Sequence, residues 1–271
     1  RWLFLIGVRE KEKRKERKIK TDLSNLNNLI ALIDIWRCVG FLFGIISLWI
    51  TTGIFKAKGK LQESDSRKIN HIAVFVGGAL VFGWLPEMTA RVNLYAIAST
   101  ILIFIYTICR YKEIPPFSYA YAANTRASDV PNTTFFFWSS WCVSIAALAV
   151  VDILFAQMSV TRTAILVVGI ADGIAEPIGR RFGKHKYPVF SFGTATSFRS
   201  IEGSLAVWTA TLAVFVTCSI DGLNSSIFPI AALLTASITT LVEAISPRGC
   251  DNFALLVLVA GLMDGFMRFS L

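Results

Sequence analysis

Charge is scarce in this chain. Only 17% of its 271 residues are Asp, Glu, Lys or Arg, 54% are hydrophobic, and mean hydropathy is +0.59. That balance excludes an ordinary soluble domain. Cysteine is used sparingly too: Cys38, Cys109, Cys142, Cys218 and Cys250, with no pair at metal-ligand spacing. A zinc finger is excluded, and four of the five stand in or beside apolar runs, where free, buried thiols are expected. There is no polar interval long enough for a soluble domain, no internal repeat and no GxGxxG fingerprint. The stretch "GRRFGKHK" (179–186) is not a Walker motif either. It has three residues between its glycines instead of four, and His185 follows Lys184 where Ser or Thr is required.

What the chain does have is long apolar runs. About 20 helical residues cross a hydrocarbon core of roughly 30 Å, and a helix satisfies its own backbone hydrogen bonds there. Eight such segments can be drawn, at about 29–55, 69–85, 92–109, 134–154, 160–178, 203–220, 226–245 and 252–268. The expected fold is all-α: a polytopic integral membrane helical bundle of about eight transmembrane helices. Trp36, Trp49, Trp84, Trp138 and Trp208 fall near segment edges, where interface anchors collect. Residues 1–28 form a basic segment before the first span, and residues 29–271 form the multi-span domain. The run "REKEKRKERKIK" (9–20) reads as a solvated juxtamembrane helix facing anionic headgroups, with the bilayer and not a nucleic acid as its partner.

The remaining cations sort by loop. Loops after odd-numbered spans carry fourteen Lys and Arg, and the even loops and C-terminus carry three. The positive-inside rule puts the odd loops in the cytoplasm. Nine cations before the first span pull the other way, so the shared face of the odd loops is the firmer expectation.

Ionisable groups inside membrane spans are costly and usually functional. Asp172 and Glu176, in "GIADGIAEPIGRRFGKHKY" (169–187), lie one turn apart on a single helical face. Gly169 and Gly173 give that helix a small-residue face for close packing. Arg180, Arg181, Lys184 and Lys186 follow directly. Carboxylates hold Mg²⁺ and Lys and Arg clamp phosphate oxygens, so this is the composition of a metal–phosphate site. Glycines at Gly179 and Gly183 allow backbone N–H groups to approach an anion. The next element, "FRSIEGSLAVW" (198–208), places Arg199, Ser200, Glu202 and Gly203 at a helix start, whose partial positive charge suits phosphate. "LVEAISPRGCDN" (241–252) adds Glu243, Arg248, Asp251 and Asn252, and "SRKINH" (66–71) adds Arg67, Lys68 and His71. All four elements sit at odd loops and hence at one membrane face.

Taken in order, "RKINH", "DGIAEPIGRRFGKHK", "RSIEGS" and "EAISPRGCDN" resemble the polyprenol kinase family, which includes dolichol, phytol and farnesol kinases and a CTP-dependent diacylglycerol kinase. The likeness runs over roughly residues 66–265, with Ala171 where members often have Gly and Arg199 where Lys is common. It implies a membrane kinase that transfers the γ-phosphoryl group of CTP or UTP to a lipid alcohol, with Mg²⁺ or another divalent cation. The reacting groups it implies are Asp172, Glu176, Glu202 and Asp251. The metal ligands would come from Asp172, Glu202, Glu243 and Asp251. Nucleotide contacts would come from Arg67, Lys68, His71, Gly173, Gly179, Arg180, Gly183, Lys184, Lys186, Arg199, Ser200, Gly203, Arg248 and Asn252. A phosphatidate cytidylyltransferase uses the same ingredients but releases pyrophosphate. A transporter or flippase would instead spread its charges through both halves of the membrane.

Overall fold

The computed structural model describes residues 32–82, 115–127, 130, 132–155, 157–189, 197–218, 225–246 and 251–269, with isolated positions at 20, 97, 100, 101, 104, 105, 107 and 108. Most of the expected span at 92–109, most of the basic segment, Trp84, Cys109, Arg248 and Cys250 lie outside them. The fold is predominantly helical. Its helices are α1 (Leu32–Ala57), α2 (Glu63–Phe82), α3 (Phe117–Asn124), α4 (Thr133–Phe155), α5 (Met158–Val167), α6 (Gly173–Phe182), α7 (Ile201–Thr217), α8 (Phe228–Ile245) and α9 (Asp251–Phe269). Packing divides the chain into a unit Arg1–Phe41 and a unit Leu42–Leu271. In the first, Arg37 pairs with Asp34 at 3.1 Å.

Among the described residues four helices, α1, α4, α8 and α9, are long and apolar enough to cross a membrane; α7 is apolar but shorter. At about 1.5 Å per residue the four measure about 27–39 Å, which matches a core of roughly 30 Å. Their outer faces are as greasy as their inner ones. Phe135, Phe136, Ile153 and Leu154 on α4, and Ile230, Leu233, Leu241 and Ile245 on α8, all face outward. Helices apolar all round belong in a lipid environment or a large core. The expected spans at 69–85 and 160–178 do not qualify: α2 opens with Glu63, Asp65, Arg67 and Lys68, and the π-segment 168–172 divides the run 158–182 into two helices of ten residues each.

The second unit is centred on α5, α7 and α9. Val160, Val167, Val207, Leu255, Leu256 and Val259 are fully enclosed there, with Ala147 and Val151 of α4. Glycines set how closely the helices approach. A Cβ on Gly169 would sit 2.6 Å from Cβ of Phe75, and one on Gly173 would strike Ile72, so α2 lies directly against the glycine face expected from the sequence. Likewise Gly53 leaves room for the Tyr119 carbonyl, which brings α3 onto α1. Polar bonds hold α3 from two sides: Lys56 Nζ of α1 donates to the Ala122 and Thr125 carbonyls at 2.6 and 3.0 Å, and Ser66 Oγ of α2 donates to the Ala123 carbonyl at 2.7 Å.

Three features depart from the sequence expectation. Residues 168–172 form a π-turn between α5 and α6. An antiparallel hairpin, β1 (Lys186–Val189) and β2 (Ser197–Ser200), adds a strand pair to the helical bundle, with Tyr187 opposite Arg199. Trp49 is not an interface anchor: it is buried, edge-on to Phe137 and Trp141 at centroid distances of 6.3 and 6.5 Å. Trp36 and Trp138 are exposed. Cys38, Cys142 and Cys218 are free thiols and none is fully buried: Cys142 is exposed, Cys38 is half-buried, and Cys218 packs half-buried against the core.

Candidate functional site

The π-turn accommodates one extra residue in the helix and places Asp172 at the junction with α6. Pro177, within α6, has no N–H to return to the preceding turn. Lys68 reaches in from α2 and donates to both the Asp172 carbonyl and its Oδ2, each at 2.8 Å. His71 Nε2, one turn further along α2, lies 3.3 Å from the same Oδ2, and its ring stacks at 4.5 Å on Phe75. Asp172 and Lys68 are both buried, so this pair stands in a low-dielectric interior where each charge depends on the other.

Glu176 sits one turn beyond Asp172 and is ringed by guanidinium groups. Arg67 forms a short ion pair with its Oε2, Arg126 approaches the same oxygen at 3.3 Å, and Arg180 reaches Oε1 at 3.3 Å. A carboxylate held by three arginines is poorly placed to accept a proton, which removes the chemical reason for treating Glu176 as a general base. Asp65 and Arg181, 2.5 Å apart, add a further tie between α2 and α6.

On the opposite wall, Ser200 caps α7 by accepting from the Gly203 N–H at 3.1 Å. Arg199 precedes it on β2, forms a short ion pair with Glu243 of α8, and lies 4.0 Å from Asp251 Oδ2 at the start of α9. Asp172 is close enough to both Glu243 and Asp251 for its charge to act on them. Together these groups line a cavity of about 670 Å³, within the range of roughly 300–1,000 Å³ usual for small-molecule sites. Lys68, Arg126, Arg180, Lys186 and Arg199 supply its positive charge, and Asp172, Glu176, Glu243 and Asp251 its negative charge.

The expected site residues therefore divide. Lys68, Asp172, Glu176, Gly179, Arg180, Lys186, Arg199, Ser200, Gly203, Glu243 and Asp251 line one cavity, although they come from five helices and a hairpin. Arg67 and His71 stand behind it, holding Glu176 and Asp172. Lys184 is exposed and does not line it. Glu202 turns away: it takes hydrogen bonds from the His185 backbone N–H at 3.3 Å and pairs with the His185 ring at 2.9 Å. Its own backbone N–H and the His185 ring hold its carboxyl down to about 2. The glycines serve packing first. Gly173 faces Ile72, a Cβ on Gly183 would meet the Gly179 carbonyl and Ser200, and one on Gly203 would sit 3.0 Å from the Ala175 carbonyl. Asn252 is buried and donates to Ser144 of α4 at 3.1 Å, which ties α9 to α4 and not to the cavity. Arg126, Ser204 and Ser246 line the cavity without having been expected there; Arg126 reads from sequence only as a loop cation.

Among the described residues no three His, Cys, Asp or Glu side chains come together as a metal cage. Magnesium seldom needs one: it keeps several waters and takes one or two carboxylates plus substrate phosphate oxygens. Asp172 and Glu243, hard oxygen donors from two elements facing the same cavity, fit that pattern, with Lys68 and Arg199 as their present counter-charges. Glu202 does not. Compared with protein-family models, curated proteins and solved structures, the chain matches none.

Proposed function

We propose that the protein is a multi-pass membrane kinase that transfers the γ-phosphoryl group of CTP or UTP to a lipid alcohol, an isoprenoid alcohol or a diacylglycerol. One observation carries the reading. A single cavity, set among apolar helices, gathers five cations and four carboxylates from positions up to 183 apart, Lys68 to Asp251. Phosphoryl transfer asks for little covalent help from a protein; it needs in-line positioning and cancellation of charge on the transferring group. Lys68, Arg126, Arg180, Lys186 and Arg199 bind and orient the triphosphate. Asp172 and Glu243 would hold a divalent cation, which supplies charge neutralisation at the phosphates.

The acceptor hydroxyl oxygen forms a bond to the γ-phosphorus as the bond from that phosphorus to the β,γ-bridging oxygen breaks. The nucleoside diphosphate leaves with that oxygen. The hydroxyl proton passes to Asp251, the cavity carboxylate with the loosest cation pairing, 4.0 Å from Arg199. The site faces the cytoplasm, in keeping with the cation-rich loops around it, and about eight spans surround it.

The nucleotide product separates this reading from cytidylyl transfer. With purified protein, CTP, magnesium and a lipid alcohol, the account gives CDP. Pyrophosphate release with phosphatidate as acceptor would replace it with the cytidylyltransferase reading.

A further inference from the structure

Beside the polar cavity lies a second, open depression of about 360 Å³ between α7 and α8, lined by Ile201, Ser204, Leu205, Trp208 and Thr240. The four α7 residues follow the i, i+3, i+4, i+7 pattern and so form one stripe. Ile201 and Leu205 are each 59% exposed, and Trp208 is fixed by a 3.2 Å hydrogen bond to Ser237 of α8. Ser204 lines both the depression and the cavity, and its hydroxyl is 2.6 Å from that of Tyr187 on the hairpin. The apolar groove thus adjoins the charged site at Ser204, and a pair of hydroxyls stands where the two meet.

We infer that this groove holds the hydrocarbon chain of the acceptor, which enters sideways between α7 and α8 and presents its hydroxyl to the phosphate site past Ser204. The occupant's identity as a lipid alcohol rests on the reading above; the adjacency of groove and cavity does not. An amphiphile with one polar end suits the arrangement: carbon against Ile201, Leu205 and Trp208, oxygen beside the Tyr187 and Ser204 hydroxyls. The Tyr187–Ser204 hydrogen bond uses one of the pair's two protons, so the pair still offers one O–H to an incoming oxygen.

Photo-crosslinking of the full chain in phosphatidylcholine nanodiscs tests it, without nucleotide so that no turnover is needed. The probe is a farnesyl alcohol bearing a diazirine on its chain. Adducts are expected on Ile201, Leu205, Trp208 or Thr240. Excess unlabelled farnesol should suppress them, and the matching hydrocarbon without a hydroxyl should not. Leu205→Trp fills the groove from an exposed position, and Thr240→Phe does so from the other helix. Either should lower labelling about tenfold, the equivalent of losing contact with about two methylenes. Adducts spread evenly over α4 and α9, or suppressed equally by the hydrocarbon, would overturn the inference. If competed adducts map to the groove but no γ-phosphoryl transfer occurs, the groove stands as an alcohol site and the kinase reading falls. Transfer with adducts elsewhere gives the reverse.

Discussion

Asp172 is the side chain on which the proposed chemistry depends most. It is buried against Lys68, backed by His71, and faces a cavity lined by Glu243 and Asp251. Asp172→Asn should lower phosphoryl transfer by about 10²–10³, the usual loss when one charge-stabilising group is removed. It also strands Lys68, and leaving one buried charge unpaired costs about 3–5 kcal/mol. The double variant Lys68→Met/Asp172→Asn should therefore recover thermal stability in detergent without recovering transfer. Recovery of transfer would mean that Asp172 acts only through folding. Two other aspartates make a contrast on one helix. Asp251 lines the cavity, whereas Asp264 is thirteen residues along, roughly 20 Å further at 1.5 Å per residue, and pairs with Arg268 at 2.7 Å. Asp251→Asn should abolish turnover per folded molecule. Asp264→Asn should leave substantial turnover and act mainly on stability, since Asp264 is buried while its partner Arg268 is largely exposed. At this scale the sequence was informative about local relations. Asp172 with Glu176, and Asp264 with Arg268, follow from helical spacing. The partners of Glu176 do not, because Arg126 and Arg67 lie 50 and 109 positions away, and no periodic pattern reports such a distance.

Glycine contacts and a π-turn fix the elements that carry these side chains. Gly169 belongs to the π-turn itself and admits Phe75 of α2. Gly169→Val should push α2 outward and cost about 1–3 kcal/mol, the usual range for overpacking. Because α2 brings Lys68 and His71 to Asp172, transfer should fall more than stability does. Unfolding midpoints and turnover measured on the same detergent preparation check this; loss of stability with full turnover per folded molecule would contradict it. The glycine face was legible from the GxxxG spacing. The π-turn was not, since one extra residue per turn leaves no mark on residue choice. The hairpin also escaped notice: β1 contains Pro188 and follows a run of cations, so it reads as loop. Even so, it is the hairpin that carries Lys186 and Arg199 to the cavity and turns Glu202, expected as a metal ligand, toward His185.

Over the whole molecule, apolar faces inside and outside the helices explain why composition alone pointed to a membrane. Four described helices have the length and apolarity to cross one. α2 opens with four charged residues, and α5 and α6 are ten residues long each, so none of the three shows the same signature. The cation count predicts a shared aqueous face for the odd loops. Cysteines introduced at Lys58 and Lys186 should label with a membrane-impermeant thiol reagent from one side of sealed vesicles, and a cysteine at Arg268 from the other. Labelling of Lys58 and Lys186 from opposite sides would break the single-face account. The central claim is that this one cavity moves a phosphoryl group from a nucleotide to a lipid hydroxyl. Its most direct test is incubation of the purified protein with γ-labelled or α-labelled CTP, magnesium and a panel of isoprenoid alcohols, diacylglycerol and phosphatidate. The account predicts that label from the γ position alone appears in a lipid monophosphate. Label in lipid from the α position, or from neither, would contradict it.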